Sequence, residues 1–233
     1  MGLRRVLSAT IVAVVVAASV WTGYVYVEQL PPNSLPWKPV VLNAAPRWLA
    51  HAQLNQFGRD GAECKAALDA ASLTYTPLPD HSAGDECGFI DVVRLDKPAV
   101  AFDPKVTATC ALSAALVWYE DQLHTVARAD LGTDLVAIEQ VGTYACRNIN
   151  SDASGPRSEH ATANAIDIVG FRFANGRTVS VGRNYGASTA AGKFLDDAHA
   201  RACSLFNVVL GPRYNRLHAT HFHLDMGGYR ICS

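Results

Sequence analysis

A chain of 233 residues that is 49% apolar and 18% charged can bury an ordinary core, which excludes it from the disordered class. Its formal net charge of -1 offers no basic excess with which to hold a nucleic-acid backbone. The sequence also lacks a nucleotide-binding glycine loop and a serine-nucleophile elbow.

In chain order, Arg4 and Arg5 precede Val6 to Val27, twenty-two residues without a formal charge, and Glu28 ends the run. A bilayer core needs about 20 apolar residues, so residues 1–29 are predicted to be a transmembrane segment. The arginines keep the N-terminus in the cytoplasm and send the remainder across. The run is longer than a signal-peptide core, and only Ala17-Ala18-Ser19 offers a weak cleavage site, so a retained anchor is favoured over a cleaved leader. Residues 30–44 follow, with four prolines between Leu30 and Pro39, and read as a stiff extended spacer that lifts the domain off the membrane.

Residues 45–233 read as one domain. A short helix or arm is expected within Ala45 to Gln56, and a helix over Glu63 to Ala71, where Cys64, Leu68 and Ala71 share a stripe. Pro77 to Glu86 has loop composition, and Phe89 to Leu95 reads as a strand. Thr109 to Gln122 predicts a helix with Ala111, Leu112, Ala115, Leu116 and Tyr119 on its apolar face, and the Trp118-Tyr119 pair is assigned to the core. Asp134 to Gln140 suits a buried strand, and Asn148 to Arg157 a loop bordering a cleft. Ala165 to Phe173 is predicted as a strand, turned by Asn175-Gly176 into Thr178 to Val181. Lys193 to Leu205 then forms a helix and Phe206 to Leu210 a short strand. Helices interspersed with a hairpin-bearing sheet define an α+β fold: a single mixed domain with a small, mainly antiparallel sheet flanked by helices.

Six cysteines with no CxxC pair, in a chain sent across a membrane, suggest disulfides. Cys203 with Cys232 is the favoured bridge, because it would tie the C-terminal tail to the last helix.

Ser158 to Asp167 and His218 to Asp225 hold four of the eight histidines. In a strand the alternate residues His221, His223 and Asp225 share one face. Three imidazoles at 218, 221 and 223 are hard to accommodate as packing, since each ring needs partners for two nitrogens and clustered cations repel. A metal removes both difficulties. His160 and Asp167 complete a zinc site of two imidazoles, one carboxylate and an open position. Arg147 is a fitting donor to a developing oxyanion, because its charge does not titrate away. His221 and His218 are the alternative general bases or supporting partners.

The order Tyr144-Ala-Cys-Arg147, Ser158-Glu-His160 with Asp167, and His221-Phe-His223-Leu-Asp225, with Cys110 and Ala202-Cys203, resembles the bacterial extensin-like C-terminal domain family. The Ser-x-His and His-x-His pieces are in turn similar to those of zinc D-Ala-D-Ala metallopeptidases. That resemblance implies that His160, Asp167 and His223 bind zinc, that Arg147 and Ser158 contact substrate, and that a residue just before His223 is the general base. It implies a peptidoglycan peptide as substrate and the periplasmic side of a bacterial inner membrane as location. Two positions depart from the family pattern: Ala163 stands where glycine is expected, and Thr220 where a carboxylate base is expected. Glu159 is a more remote candidate base. The expected function is therefore a membrane-anchored zinc peptidase, and the alternative is a non-catalytic cell-wall or metal-binding module of the same fold. A structural factor whose histidines are incidental is the third reading.

Overall fold

A computed structural model describes residues 2–84 and 86–233, with residues 2–5 described by backbone alone, so the side chains of Arg4 and Arg5 lie outside what is described. Helix α1 (Gly2–Glu28) contains a 23-residue apolar stretch, Val6–Glu28, long enough to cross a membrane and unburied by the rest of the chain. Helices α2 (Ala50–Phe57) and α3 (Gly61–Ala70) follow, then the short strands β1 (Thr74–Pro77), β2 (His81–Gly84), β3 (Cys87–Phe89), β4 (Val92–Lys97), β5 (Ala101–Asp103) and β6 (Thr107–Thr109). Next come α4 (Cys110–Leu131), β7 (Leu135–Gln140), β8 (Ala165–Phe173), β9 (Thr178–Ser180), α5 (Val181–Asn184), α6 (Ala190–Cys203), β10 (Val208–Leu210), β11 (Phe222–Asp225) and β12 (Ile231–Cys232).

The core is assembled around α4. Thr109 caps it, accepting from the Leu112 amide at 3.3 Å, and Gly132 ends it in the left-handed conformation at φ 64°. The helix runs beyond the expected end at Gln122 because Leu123, Val126 and Ala127 continue its buried stripe and no breaker intervenes before Gly132. It packs against α2, α3, α6 and β7, with Trp118 and Tyr119 buried as expected. The main sheet has seven strands in the order β12-β10-β11-β8-β7-β5, with β9 also on β8. All its pairs are antiparallel except β5 with β7 and β10 with β12. Strands β1, β4 and β6 form a smaller sheet, and β2 pairs with β3. The mixed α+β architecture, the mainly antiparallel pairing and the Asn175-Gly176 turn agree with expectation.

Three disulfides, Cys64–Cys110, Cys87–Cys146 and the expected Cys203–Cys232, use every cysteine. The second fastens β3 to the segment that carries Arg147.

Other expectations need correction. Pro77 to Glu86 contains strand β2 rather than loop alone, because polar residues there are paired through backbone amides with β3. The strand expected over Phe89 to Leu95 is broken by Asp91 at φ 53°. Strands β1, β5 and β6 have only three or four residues each, too few for periodicity to register. Leu30 to Pro39 does not extend away from the domain. Asn33 is 2% exposed, its amide donates to the Val41 carbonyl at 2.9 Å, and its Oδ1 accepts from the Val41 N–H at 2.9 Å. A single side chain satisfying both backbone groups of one residue folds the segment into a compact turn.

Candidate metal centre

Two strands and one turn bring the histidine motifs together. Antiparallel pairing sets His223 of β11 directly opposite Asp167 of β8. Cross-strand partners in such a pair are close enough for side-chain contact. Ser158 caps the turn that starts at Glu159, its Oγ accepting from the His160 amide at 3.3 Å, and this points the buried His160 ring at the same place. His223 Nδ1 lies 3.0 Å from Asp167 Oδ1 and 3.2 Å from His160 Nε2, and His160 Nε2 lies 3.2 Å from Asp167 Oδ1.

Zinc bonds of about 2.0–2.1 Å at tetrahedral angles would set donor atoms about 3.3 Å apart. The three measured separations fit such an ion. The donor chemistry fits as well, because two nitrogens and a carboxylate oxygen face one another with no proton able to satisfy all three contacts.

Asp225 completes the arrangement from behind. Its Oδ2 takes the Nε2–H of His223 at 2.9 Å, while its Oδ1 accepts from the Gly227 amide at 2.8 Å. A carboxylate holding the far nitrogen fixes the ring's orientation and aims Nδ1 at the cluster. Burial opposes a charge on Asp167, but hydrogen bonds and charge from His160 and His223 prevail and hold its carboxyl far below the usual range. Burial likewise works against a charge on His223, yet its bonds to Asp167 and Asp225 raise it to about 9, so at neutral pH a metal would have to displace the proton on Nδ1.

The cluster opens on a cavity of about 360 Å³ whose lining includes Arg147, Ser158, Glu159, His218 and His221. Arg147 stands at the rim, 39% exposed, with its guanidinium 3.8 Å from Asp167 Oδ2. His221 Nε2 is 3.6 Å from Asp167 Oδ1, so His221, His223 and Asp225 face the site together as alternation predicts. Burial lowers its pKa, and the charge of Asp167 only partly offsets this.

His218 folds back over the site from the turn at Arg216–His218, its ring 5.2 Å from that of His221 and 6.0 Å from that of His223. Asn215 Oδ1 accepts from the Leu217 amide at 2.9 Å, the His218 amide at 3.2 Å and His218 Nδ1 at 2.8 Å. An oxygen receiving two amides identifies itself as the acceptor, so Nδ1 carries the proton and Nε2 keeps a free lone pair. Burial, then the charges on His221 and His223, lower His218 to about 4, leaving the ring neutral. Glu159 also lines the cavity; burial raises its carboxyl, opposed by the Asn164 amide that donates to it at 2.7 Å.

The two departures resolve differently. Thr220 is exposed and packs against Gly182, outside the cavity lining. Ala163 sits at φ 55°, so the position does call for glycine's conformational freedom and the methyl is strained there. Asp225 and Asn215 were not singled out as functional from sequence. The alternation His223-Leu224-Asp225 was the available signal for the first, whereas nothing in the sequence marks the second. A larger cavity of about 970 Å³ shares Glu159, Gly227 and Tyr229 with this one but contains none of the three donor residues.

Residues 62–233 match the family described as extensin-like protein C-terminus. No curated protein and no solved structure matches the chain significantly.

Proposed function

The chain belongs to that family of extensin-like C-terminal domains, and on this premise we propose that it is a zinc-dependent peptidase acting on peptidoglycan peptides. In this reading α1 is a retained anchor in a bacterial inner membrane and the domain works on the periplasmic side. The observation that carries it is the convergence of His160, Asp167 and His223 to within 3.2 Å, with Asp225 orienting the ring of His223.

Zinc bound by these residues would act as a Lewis acid on a carbonyl and lower the pKa of water toward about 7. Asp225 holds the proton on His223 Nε2 and orients the ring, so that the proton on Nδ1 is the one a bound metal would displace. His218 takes a proton at Nε2 as general base, and Asn215 stabilises the cation that results by accepting from Nδ1. His221 is the second candidate for that transfer. Arg147 donates from the rim to the developing oxyanion or to a substrate carboxylate. Ser158 positions His160 through its amide and offers its hydroxyl to substrate.

The test is elemental analysis of the full chain in detergent, followed by digestion of purified peptidoglycan. One zinc per chain and release of D-Ala or of cut cross-links support the reading, and release that survives His223→Ala sinks the zinc mechanism. A metal-binding module without turnover is the second reading, favoured by Thr220 lying outside the cavity where a carboxylate base is wanted. Full zinc occupancy with no product released would favour it.

A further inference from the structure

The segment between the apolar helix and the domain is short and hydrogen-bonded at both ends. Helical hydrogen bonding continues past Glu28, with the Gln29 amide donating to Val25 at 3.2 Å and the Leu30 amide to Val27 at 3.3 Å. Asn33 is already locked into the turn that follows, reaching the carbonyls of Val41, Ala44 and Ala45. Pro31 and Pro32 alone lie between, and proline fixes φ. Lys38 closes the joint from the other side with an ion pair to Glu28 at 2.8 Å.

The far end of the segment is equally tied down. Val40 and Leu42 are buried in the core, the Asn43 amide donates to Ala71 at 3.3 Å, and the Trp118 indole donates to Ala44 at 3.0 Å. Three residues from Leu30 to Asn33 span at most about 10 Å. A headgroup layer is about 5–8 Å deep on each side of the hydrocarbon. A membrane holding α1 therefore meets this segment at headgroup level.

Its exposed side chains suit that environment. Trp37 and Trp48 are 69% and 79% exposed, Val41 of the same segment is exposed, and Arg47 is exposed next to Trp48 in the chain. On α1 itself, Tyr24 and Tyr26 lie exposed in the last two turns, near the same end of the span. Tryptophan and tyrosine concentrate at headgroup depth because a flat apolar ring with one polar edge suits that layer. Isolated exposed apolar residues are ordinary. Two tryptophans on a segment tethered this closely to a membrane-length helix are not isolated.

We propose that residues 33–48 are a membrane-seating collar, with the Trp37 and Trp48 rings inserted among the phospholipid headgroups of the bilayer that α1 spans. This rests on the reading of α1 as a retained span. Its consequence is a domain held in one orientation against the membrane surface, so that the cleft meets substrate close to the bilayer and not at the end of a spacer.

The four tryptophans supply their own controls. Trp118 is kept throughout as the core reference, and each variant retains one of Trp21, Trp37 and Trp48, with the other two changed to phenylalanine. The full chain is reconstituted in phosphatidylcholine vesicles carrying bromine near the headgroup end of one acyl chain, and emission is compared with unbrominated vesicles. We expect the emission from Trp37 and from Trp48 to be lost in part, as for rings at headgroup level, with the Trp118 background unchanged. Quenching of Trp21 without quenching of Trp37 and Trp48 would overturn the collar and leave the span intact. No quenching of Trp21 would overturn the span, and the collar with it.

Discussion

Two clusters among the described residues each place three metal-capable donors within 4.8 Å: His160, Asp167 and His223 in one, His199, Cys203 and Cys232 in the other. The second is closed to metal, since its sulfurs are bonded to each other and only a thiolate is a strong ligand. His199 is also occupied, with Nε2 at 3.1 Å from the Ser233 carbonyl oxygen and its ring against Phe222 and Tyr185. The first cluster has donors without a covalent partner, a carboxylate held ionised, Asp225 fixing one ring from behind, and an adjacent cavity. Donor proximity is common to both; covalent state, protonation and access separate them.

The strongest way to break the contrast is Asp167→Ala. Zinc is expected to fall from about one per chain to background, because two imidazoles alone make a poor site; retention of stoichiometric metal would mean that it sits elsewhere. Removing the other cluster should do the reverse. With Cys203 and Cys232 both changed to serine, zinc content stays constant while loss of the 29-residue cross-link costs about 3 to 4 kcal/mol of stability. Denaturant melts read the second effect, and a drop in metal would show the clusters to be coupled.

Asp225→Asn sharpens the role of the residue behind His223, with metal affinity expected to weaken about 10- to 100-fold in chelator competition. An unchanged affinity would reduce Asp225 to a packing partner.

The acids divide in the same manner. Burial pushes Glu120 up to about 8 despite backbone donors at Val100 and Ala99, whereas the neighbours of Asp167 keep that group ionised. A raised carboxyl keeps its proton in the folded chain, so the stability it contributes is full below its unfolded value near 4.5 and is lost as pH rises through about 8. Relative to Glu120→Gln, the wild type should lose up to about 1.4 kcal/mol per pH unit across that window. Parallel curves would refute the assignment. The smallest expected effect is Ala163→Gly, a gain of about 1 kcal/mol from relieving the left-handed alanine, with metal content unaltered.

Much of the fold was legible where the residues repeat a period over enough length. The stripe from Ala111 to Tyr119 announced α4, and the run from Ala165 to Phe173 coincides with β8. The candidate site was legible because histidine at alternate strand positions has few structural uses, which drew attention to His221 and His223. Glu120 was not legible, since nothing in its neighbours along the chain signals that packing will bury it. The same holds for Asn33, whose partners lie eight to twelve residues away.

The sequence by itself determined what local chemistry can determine: a charge-free stretch of membrane length, an even set of cysteines, helices and strands of sufficient length, and two motifs rich in metal donors. Tertiary structure alone decided which donors meet. Strand register set Asp167 opposite His223, a capped turn delivered His160, and a covalent bond withdrew Cys203 and Cys232. It also turned a proline-rich spacer into a joint through one buried asparagine. The reason is physical: periodicity and composition are properties of neighbours along the chain, whereas ligation, burial and protonation depend on atoms brought together from distant parts of it.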